Sequence, residues 1–226
     1  ASGKWSHAEG SSTTASGKWS HAEGSSTTAS GMGSHAEGYR TTASAQYSHS
    51  EGFMSVASGN HSHAEGGMAK ASGEMSHAEG CSTESSGSSS HAEGRLTVAA
   101  GIESHAQGYN TIANGEQQHV QGRYNIEDTE NKYAHIVGNG SYTSDGGIRS
   151  NAHTLDWSGN AWFAGDVYVG STSGTNKDEG SKILATQDYV DIRVPAWTEA
   201  DEGKVLRIVN GVPTWATIAN AEGSSY

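Results

Sequence analysis

The sequence predicts an all-β fold whose first half is a parallel β-roll of 14 residues per coil. His recurs every 14 residues from His7 to His119, each time in a Ser-His-Ala-Glu-Gly block or a near copy, and Gly closes all nine blocks. Within each unit, a Ser/Thr-x-Ala-x-Gly-x-x pattern alternates small and variable residues with the two-residue period of a strand. Periodic small residues therefore define this fold.

Each unit predicts one coil with two short strands and two corners. In the first unit, Ser6 to Gly10 and Thr13 to Gly17 are the strands, and each Gly with the two residues after it forms a corner. The narrow interior should accept only Ser, Thr, Ala and Gly. Consecutive coils are expected to pair as parallel strands about 4.8 Å apart, so that equivalent residues stack in columns.

Composition and charge exclude several classes of protein. Hydrophobic residues make up only 33% of the 226 residues, which is too little for a core of large aliphatic side chains. The net charge of −12 argues against nucleic-acid binding, and no apolar stretch predicts membrane insertion. The single Cys81 allows no intrachain disulfide. Because the chain starts within a repeat, we expect it to be a piece of a longer protein.

One outer face of the roll carries His and Glu at successive coils, and we predict that it packs in a homotrimer. The column two residues before each His has large apolar groups at four of eight positions, which is unusual for a solvated surface. Buried charges must be paired, so His of one chain is expected near Glu of another. A ladder that faces solvent is the alternative. The predicted axial ladder is His7, Glu9, His21, Glu23, His35, Glu37, His49, Glu51, His63, Glu65, His77, Glu79, His91, Glu93, His105 and His119.

The middle segment, residues 123–176, is predicted to be a β-hairpin module. The 14-residue period breaks after Gly122, because Tyr133 stands where the next His would fall. A turn at 158–160 separates two runs rich in β-branched and aromatic residues. Since the chain has little other core, these aromatic residues suggest packing between chains. The predicted packing residues of the trimer are Trp5, Trp19, Tyr47, Trp157, Trp162 and Phe163.

The last segment, residues 177–226, predicts a short helix and a second hairpin. Residues 182–194 contain good helix formers with an apolar stripe, which suggests a helix that meets its two copies at the trimer axis. Pro195 ends this helix. Asn210-Gly211 lies between two apolar runs and is a strong hairpin signal. The predicted division of the chain is therefore 1–122, 123–176 and 177–226.

The repeat over residues 1–122 resembles the left-handed β-roll heads of trimeric autotransporter adhesins, whose units read Ser-x-Ala-x-Gly-x-x-Ser/Thr-x-Ala-x-Gly. The resemblance implies left-handed coils and a homotrimer. In those heads, the outward positions of the strand face the threefold axis and are usually aliphatic. This sequence differs by placing His and Glu there.

Residues 133–170 resemble a segment of phage appendage and tail proteins of Gram-positive hosts, through His135-Ile-Val-Gly-Asn-Gly140 and Arg149-Ser-Asn-Ala-His-Thr-Leu-Asp-Trp157. There the segment can open a self-cleaving intramolecular chaperone of the G2 type. The acidic region that follows in that domain has no counterpart here. We therefore predict no catalytic residue and no enzymatic activity. The phrases at 184–191 and 203–215 resemble C-terminal modules of phage tail fibres.

These resemblances imply a phage tail fibre or appendage segment, in which the roll is a rigid spacer that presents a receptor-binding tip. The expected partners are two further copies, other tail or baseplate proteins, and a glycan or protein receptor on a bacterium. The expected location is the virion tail. A trimeric adhesin on a bacterial cell surface is the first alternative, and a self-cleaving chaperone is the lesser one.

No cofactor and no metal are expected from the sequence. Nine repeated His suit a repeated structural role better than one catalytic or metal site. His61 and His63 form a His-x-His, and some phage fibre and spike tips use that motif from three chains to bind iron. This pair, which occurs once in mid-roll, is the one candidate for metal ligation.

Overall fold

The structure is a computed structural model that describes residues 1–144 and 146–165, together with the backbone of strands 167–169, 182–185, 204–209 and 212–217. The described residues form strands, turns and bends, and none of them lies in a helix able to cross a membrane. The all-β prediction is confirmed. Contacts divide the chain into two units, Ala1–Trp162 and Phe163–Tyr226.

The first strand of each coil belongs to one continuous sheet, here called the ladder sheet, in which neighbouring coils pair in parallel. His7 pairs with His21 and His21 pairs with His35, so the register is the 14-residue repeat itself. This confirms the predicted stacking of equivalent residues. The coil strands of the ladder sheet are β1 (His7–Ser11), β3 (His21–Ser25), β5 (His35–Tyr39), β7 (His49–Ser50), β9 (His63–Gly67), β11 (His77–Cys81), β13 (His91–Arg95), β15 (His105–Tyr109) and β17 (His119–Arg123).

The second strand of each coil is only two residues long and belongs to an eight-stranded parallel sheet, here called the short-strand sheet. Together the two sheets give the predicted coil of two strands and two corners. Its strands are β2 (Thr14–Ala15), β4 (Thr28–Ala29), β6 (Thr42–Ala43), β8 (Val56–Ala57), β10 (Lys70–Ala71), β12 (Glu84–Ser85), β14 (Val98–Ala99) and β16 (Ile112–Ala113).

The interior of the roll is filled by small side chains, as predicted. Ala22 and Ala29 are fully buried, and so are their equivalents in the following coils, with Ser50, Ser85, Val120 and Ile136 as the exceptions to Ala. The Ser before each ladder His from His21 to His105 is also buried. Its hydroxyl donates to a carbonyl three residues earlier, as in the 2.7 Å bond from Ser20 Oγ to Gly17 O. Ser is suited to this position because it is small and its one donor is satisfied.

The second residue of most corners has a left-handed backbone. Its φ lies between 54° and 61° at the non-glycine corner positions from Trp5 to Gln117. Such values are uncommon for residues other than Gly and Asn, yet Trp, Ser, Met and Leu all occupy these positions. The corner geometry is therefore imposed by the coil rather than by the residue type.

The ladder sheet continues past Gly122 into the middle segment. Strand β18 (Tyr133–Asn139) pairs in parallel with β17, which makes a tenth coil, and His135 lies opposite His119. Strand β21 (Asn151–Asp156) then pairs antiparallel with β18, and β22 (Ala161–Phe163) extends the sheet. A small hairpin, β19 (Ser141–Thr143) with β20 (Gly146–Ile148), precedes β21.

Asn125 closes the end of the short-strand sheet. Its side chain is fully buried, where preceding coils have Thr, Ser or Ala. Ile112 N donates to Asn125 Oδ1 at 2.8 Å, and Asn125 Nδ2 donates to Ile112 O at 3.0 Å. The amide therefore satisfies both edge groups of Ile112, as a further strand would.

The described residues of the second unit include two antiparallel strand pairs. β23 (Val167–Val169) pairs with β24 (Lys182–Ala185), and β25 (Lys204–Val209) pairs with β26 (Val212–Thr217), with Val209 opposite Val212. The latter pair confirms the hairpin predicted at Asn210-Gly211. The predicted helix begins where the structure has β24, and its remaining residues, 186–194, lie outside the described residues.

Candidate functional site

The most regular surface feature is a column of stacked imidazole rings, here called the histidine ladder. Ring centroids of neighbours lie 4.6–5.1 Å apart, and each pair is within 27° of parallel. The side chains point outward from the ladder sheet because they alternate with the buried Ala column. The ladder contains His7, His21, His35, His49, His63, His77, His91, His105 and His119.

A parallel column of carboxylates, here called the glutamate column, runs beside the ladder. It contains Glu9, Glu23, Glu37, Glu51, Glu65, Glu79 and Glu93. From His35 to His105, each imidazole Nε2 lies 3.2–3.9 Å from a carboxylate oxygen of the Glu twelve residues earlier. These contacts join adjacent coils of one chain. The pairing expected between chains, and the placement of this face at a trimer axis, stay predictions.

The pKa values in the ladder and the column are displaced by burial and by neighbouring like groups. Burial lowers the pKa of His35 and of His91, and the adjacent imidazoles lower both further. A hydrogen bond with Glu65, together with burial, raises the pKa of Glu79 to about 7. The same hydrogen bond lowers the pKa of Glu65. When Glu79 is protonated, it can donate to the Glu65 carboxylate, which relieves the repulsion between stacked carboxylates.

Two further histidines extend the ladder. The ring of His135 lies 5.2 Å from that of His119, and the ring of His153 lies 5.6 Å from that of His135. Sequence reasoning missed His135 because the tenth coil has two additional residues, which moves the His from the expected position 133 to 135. It missed His153 because that residue lies on the antiparallel strand β21, outside the repeat. The matching Ile-Val-Gly after His135 was the available signal, since Ile136 lies opposite Val120 and Gly138 opposite Gly122.

The glutamate column ends in amides. Gln107 and Gln121 replace Glu in the eighth and ninth coils, and Gln107 Nε2 donates to Gln121 Oε1 at 3.4 Å. The concentration of negative charge is therefore confined to the first seven coils.

The predicted packing residues lie away from the ladder or at its margin. Trp5, Trp19 and Tyr47 lie at corners, each with a positive φ, and each is about half-exposed or more. The indoles of Trp5 and Trp19 stack with centroids 5.7 Å apart, and Lys18 Nζ lies 3.7 Å from the Trp19 ring centroid. The Lys18 ammonium thus makes a cation–π contact with Trp19 and covers part of the stacked indole pair.

The aromatic residues of the middle segment are also exposed in the single chain. Trp157, Trp162 and Phe163 have relative exposures of 49%, 46% and 44%. The indole of Trp157 donates to Asn131 O at 3.1 Å. The nearby Asp156 carboxylate accepts hydrogen bonds from Ser158 and Asn160, which fixes the turn and lowers its pKa.

His61 and His63 do not share a site. His61 is a corner residue whose ring lies 5.3 Å from that of Tyr47. His63 belongs to the histidine ladder, and its Nε2 lies 3.2 Å from Glu51 Oε1. Within the described residues, possible metal ligands near His63 are Glu51 and His49 rather than His61.

Acidification is expected to weaken the tenth coil. The pKa of His119 is lowered by burial and then by His105 and His135, and that of His135 is lowered by burial and then by His153. In the unfolded chain both titrate near the ordinary value of about 6.5. The unfolded state therefore binds more protons just below that pH, and folding stability falls as the pH drops through it. For each additional proton that the unfolded state binds, the free energy of unfolding can fall by at most about 1.4 kcal/mol per pH unit.

This effect can be measured by urea unfolding at pH 7.5 and 5.5 in the presence of EDTA. Glu79 changes the pH dependence of stability in the opposite direction. Its raised pKa stabilises the folded state at low pH, and this stabilisation is lost as the pH rises from 4.5 to about 7. The comparison is therefore between variants. His135→Gln should reduce the acid sensitivity, whereas His61→Gln at a corner should leave it unchanged. Equal pH dependence of His135→Gln and the parent would contradict the expectation.

Comparison with known proteins adds no relative. No protein-family model matches the chain, and no curated protein is significantly similar to it. The geometry of the roll and of its outer faces is therefore the basis for a functional proposal.

Proposed function

We propose that the chain is a structural segment of a homotrimeric phage tail fibre or appendage, in which the roll is a rigid spacer behind a receptor-binding tip. Stiffness along the roll is supported by the parallel hydrogen bonds that join neighbouring coils throughout both sheets. The stacked imidazoles add a second continuous column on the outside. A spacer needs such a repeated structure and no reaction centre, so the proposed role is structural rather than enzymatic.

The observation that carries this proposal is the exposure of large aromatic side chains on a chain whose interior is small. Trp157, Trp162 and Phe163 are nearly half-exposed, while the buried core of the coils is almost entirely Ala, Ser and Thr. Full burial of one large aromatic side chain stabilises by about 1.5–3 kcal/mol, and roughly half of that remains to be gained for each of these half-buried side chains. Association of three copies would bury the part of these side chains that is exposed in the single chain, and this burial would stabilise the trimer.

The phage assignment rests on the sequence resemblance of residues 133–170 to phage appendage and tail proteins. In this proposal the partners are two further copies of the chain, other tail or baseplate proteins, and a bacterial surface glycan or protein as receptor. The corresponding location is the virion tail, outside the host cell.

The proposal is tested first by the solution mass, measured by light scattering on a sizing column. We expect about three times the 23.4 kDa of one chain. The double variant Trp162→Ser with Phe163→Ser should lower the mass towards that of one chain, because it removes apolar surface from the proposed interface. Phe53→Ser, which removes an equally exposed aromatic residue from the roll, serves as the matched control. A parent chain that is monomeric at all concentrations would refute the trimer.

A further inference from the structure

We propose that the histidine ladder and the glutamate column together form a linear array of binding sites for first-row transition dications of the Zn²⁺ type. This inference goes beyond the structural role proposed above. All ligands of each site come from one chain, so the inference does not depend on trimer formation.

Among the described residues, four groups of His and Glu have a suitable composition and bring three ligand atoms close together. In each group, one ligand atom from each of three residues lies within 4.8 Å of the other two. The groups combine residues from successive coils, which is why the sequence, read along the chain, does not reveal them. They are Glu23 with His35 and Glu37, His49 with Glu51 and His63, Glu65 with His77 and Glu79, and Glu79 with His91 and Glu93.

In three of the four groups, the distances between imidazole and carboxylate fit a bridging ion better than a hydrogen bond. In the fourth, His63 Nε2 and Glu51 Oε1 lie 3.2 Å apart, which is also within hydrogen-bond distance. The Nε2 to Oε1 separation is 3.9 Å for His35 with Glu23 and 3.5 Å for His77 with Glu65. A hydrogen bond between charged partners would hold these atoms at about 2.7–2.9 Å. A tetrahedral Zn²⁺ with N and O ligands at about 2.1 Å holds them about 3.4 Å apart.

In the three groups that contain a single His, the imidazole nitrogen also has no hydrogen-bond partner among the described residues. These nitrogens are Nε2 of His35, of His77 and of His91, and each is buried. A buried polar atom without a partner costs free energy. A metal ion bound to the nitrogen lone pair would satisfy it.

The ligand types select the class of ion. Three groups offer one imidazole with two carboxylates, and the fourth offers two imidazoles with one carboxylate. Such mixed ligands suit Zn²⁺, Cu²⁺, Ni²⁺ and similar ions, whereas Mg²⁺ and Ca²⁺ prefer oxygen ligands alone. The carboxylates are about one-third exposed, which leaves an open side for entry and for water as a fourth ligand. The seven stacked Glu also concentrate negative charge along the same line.

The arrangement of the four groups sets the number of ions that one chain can bind. Two of the four groups share Glu79, and the ions in them would lie about one coil, or roughly 4.8 Å, apart. Repulsion between dications at this distance disfavours filling both. We therefore expect three ions per chain.

The test is calorimetric titration of Zn²⁺ into the 226-residue chain after dialysis against EDTA. The parent should bind about three ions. Glu79→Gln removes a ligand from both groups that share it, so it should bind about two, with an unchanged circular dichroism spectrum. The matched control is Glu84→Gln, the same substitution at a short-strand carboxylate that pairs with Lys70, and it should still bind about three.

Two further readouts report on the coordination itself. Co²⁺ bound in place of Zn²⁺ should give visible absorption bands of a site with nitrogen and oxygen ligands, and His77→Gln should weaken them. Ca²⁺ at the same concentration should not displace Zn²⁺. The proposal is overturned if the parent shows no saturable binding, if Glu79→Gln binds as many ions as Glu84→Gln, or if Ca²⁺ competes equally.

Discussion

Replacing Gly66 with Ala is expected to destabilise the roll by about 3 kcal/mol or more, the largest effect of any single substitution considered. Gly66 closes one of the repeated blocks and has a φ of 104°, a backbone conformation that L side chains rarely adopt. An added Cβ would also lie 2.2 Å from the carbonyl oxygen of Gly80 in the next coil. Both conflicts involve backbone, so no side-chain rotation can relieve them.

The adjacent Gly67 provides the control for this prediction. Its φ is not in the left-handed region, and an added Cβ would meet no atom within 4 Å. Gly67→Ala should therefore leave the midpoint of urea unfolding nearly unchanged or slightly raised, since Ala reduces the entropy of the unfolded chain. Circular dichroism during urea unfolding measures both variants. Equal destabilisation by the two substitutions would show that the backbone conflict at Gly66 is not the cause.

Asn125→Ala is expected to destabilise the end of the roll by about 1–3 kcal/mol, because it leaves the N–H and C=O of the partly buried Ile112 without their partner. The loss should be local, since coils of a solenoid contact only their neighbours. Hydrogen exchange followed by mass spectrometry should show faster exchange of the Ile112 amide, with smaller changes towards the first coils.

Asn114→Ala is the matched substitution for this second experiment. Asn114 also uses its side-chain amide, but its 3.4 Å hydrogen bond to Glu127 is exposed. Surface substitutions of this kind usually change stability by less than about 0.5 kcal/mol. If both Asn variants protect the Ile112 amide equally, Asn125 is not the group that closes the short-strand sheet.

Much of the roll could be predicted from the sequence because its interior has almost no room for side chains larger than Ser, Thr or Ala. The Ser, Thr and Ala columns point inward at positions that alternation alone identifies, and the structure confirms this at Ala22 and Ser20. The corners could not be predicted in the same way. Residues as different as Trp19, Arg40 and Leu96 share one left-handed backbone conformation, so no common side-chain signal exists.

The end of the roll was missed for a different reason. A strict period of 14 fails when two residues are inserted, although the hydrogen-bonded register resumes at His135. The larger polar residues that close the coils, Gln118 and Asn125, are visible in the sequence as departures from the small-residue rule. They could have indicated that a different element follows.

The candidate site could be predicted only in part. Alternation places His and Glu on one outer face, but the partner of each His depends on how adjacent coils are staggered. His63 lies beside Glu51 of the preceding coil, at 3.2 Å, rather than beside the Glu65 that follows it in the sequence. That stagger is a property of strand pairing between coils and has no signature within a single repeat.

The exact 14-residue register also constrains how the length of this protein can change during evolution. Loss or duplication of one whole repeat preserves every column and alters the length of the roll by about 4.8 Å. Loss of seven residues would exchange the two sheets, and loss of one would turn the imidazoles into an interior that holds only small side chains. Recombination between near-identical repeats in the coding sequence would thus change the length of the roll in steps of one repeat, because only whole-repeat changes give a folded chain.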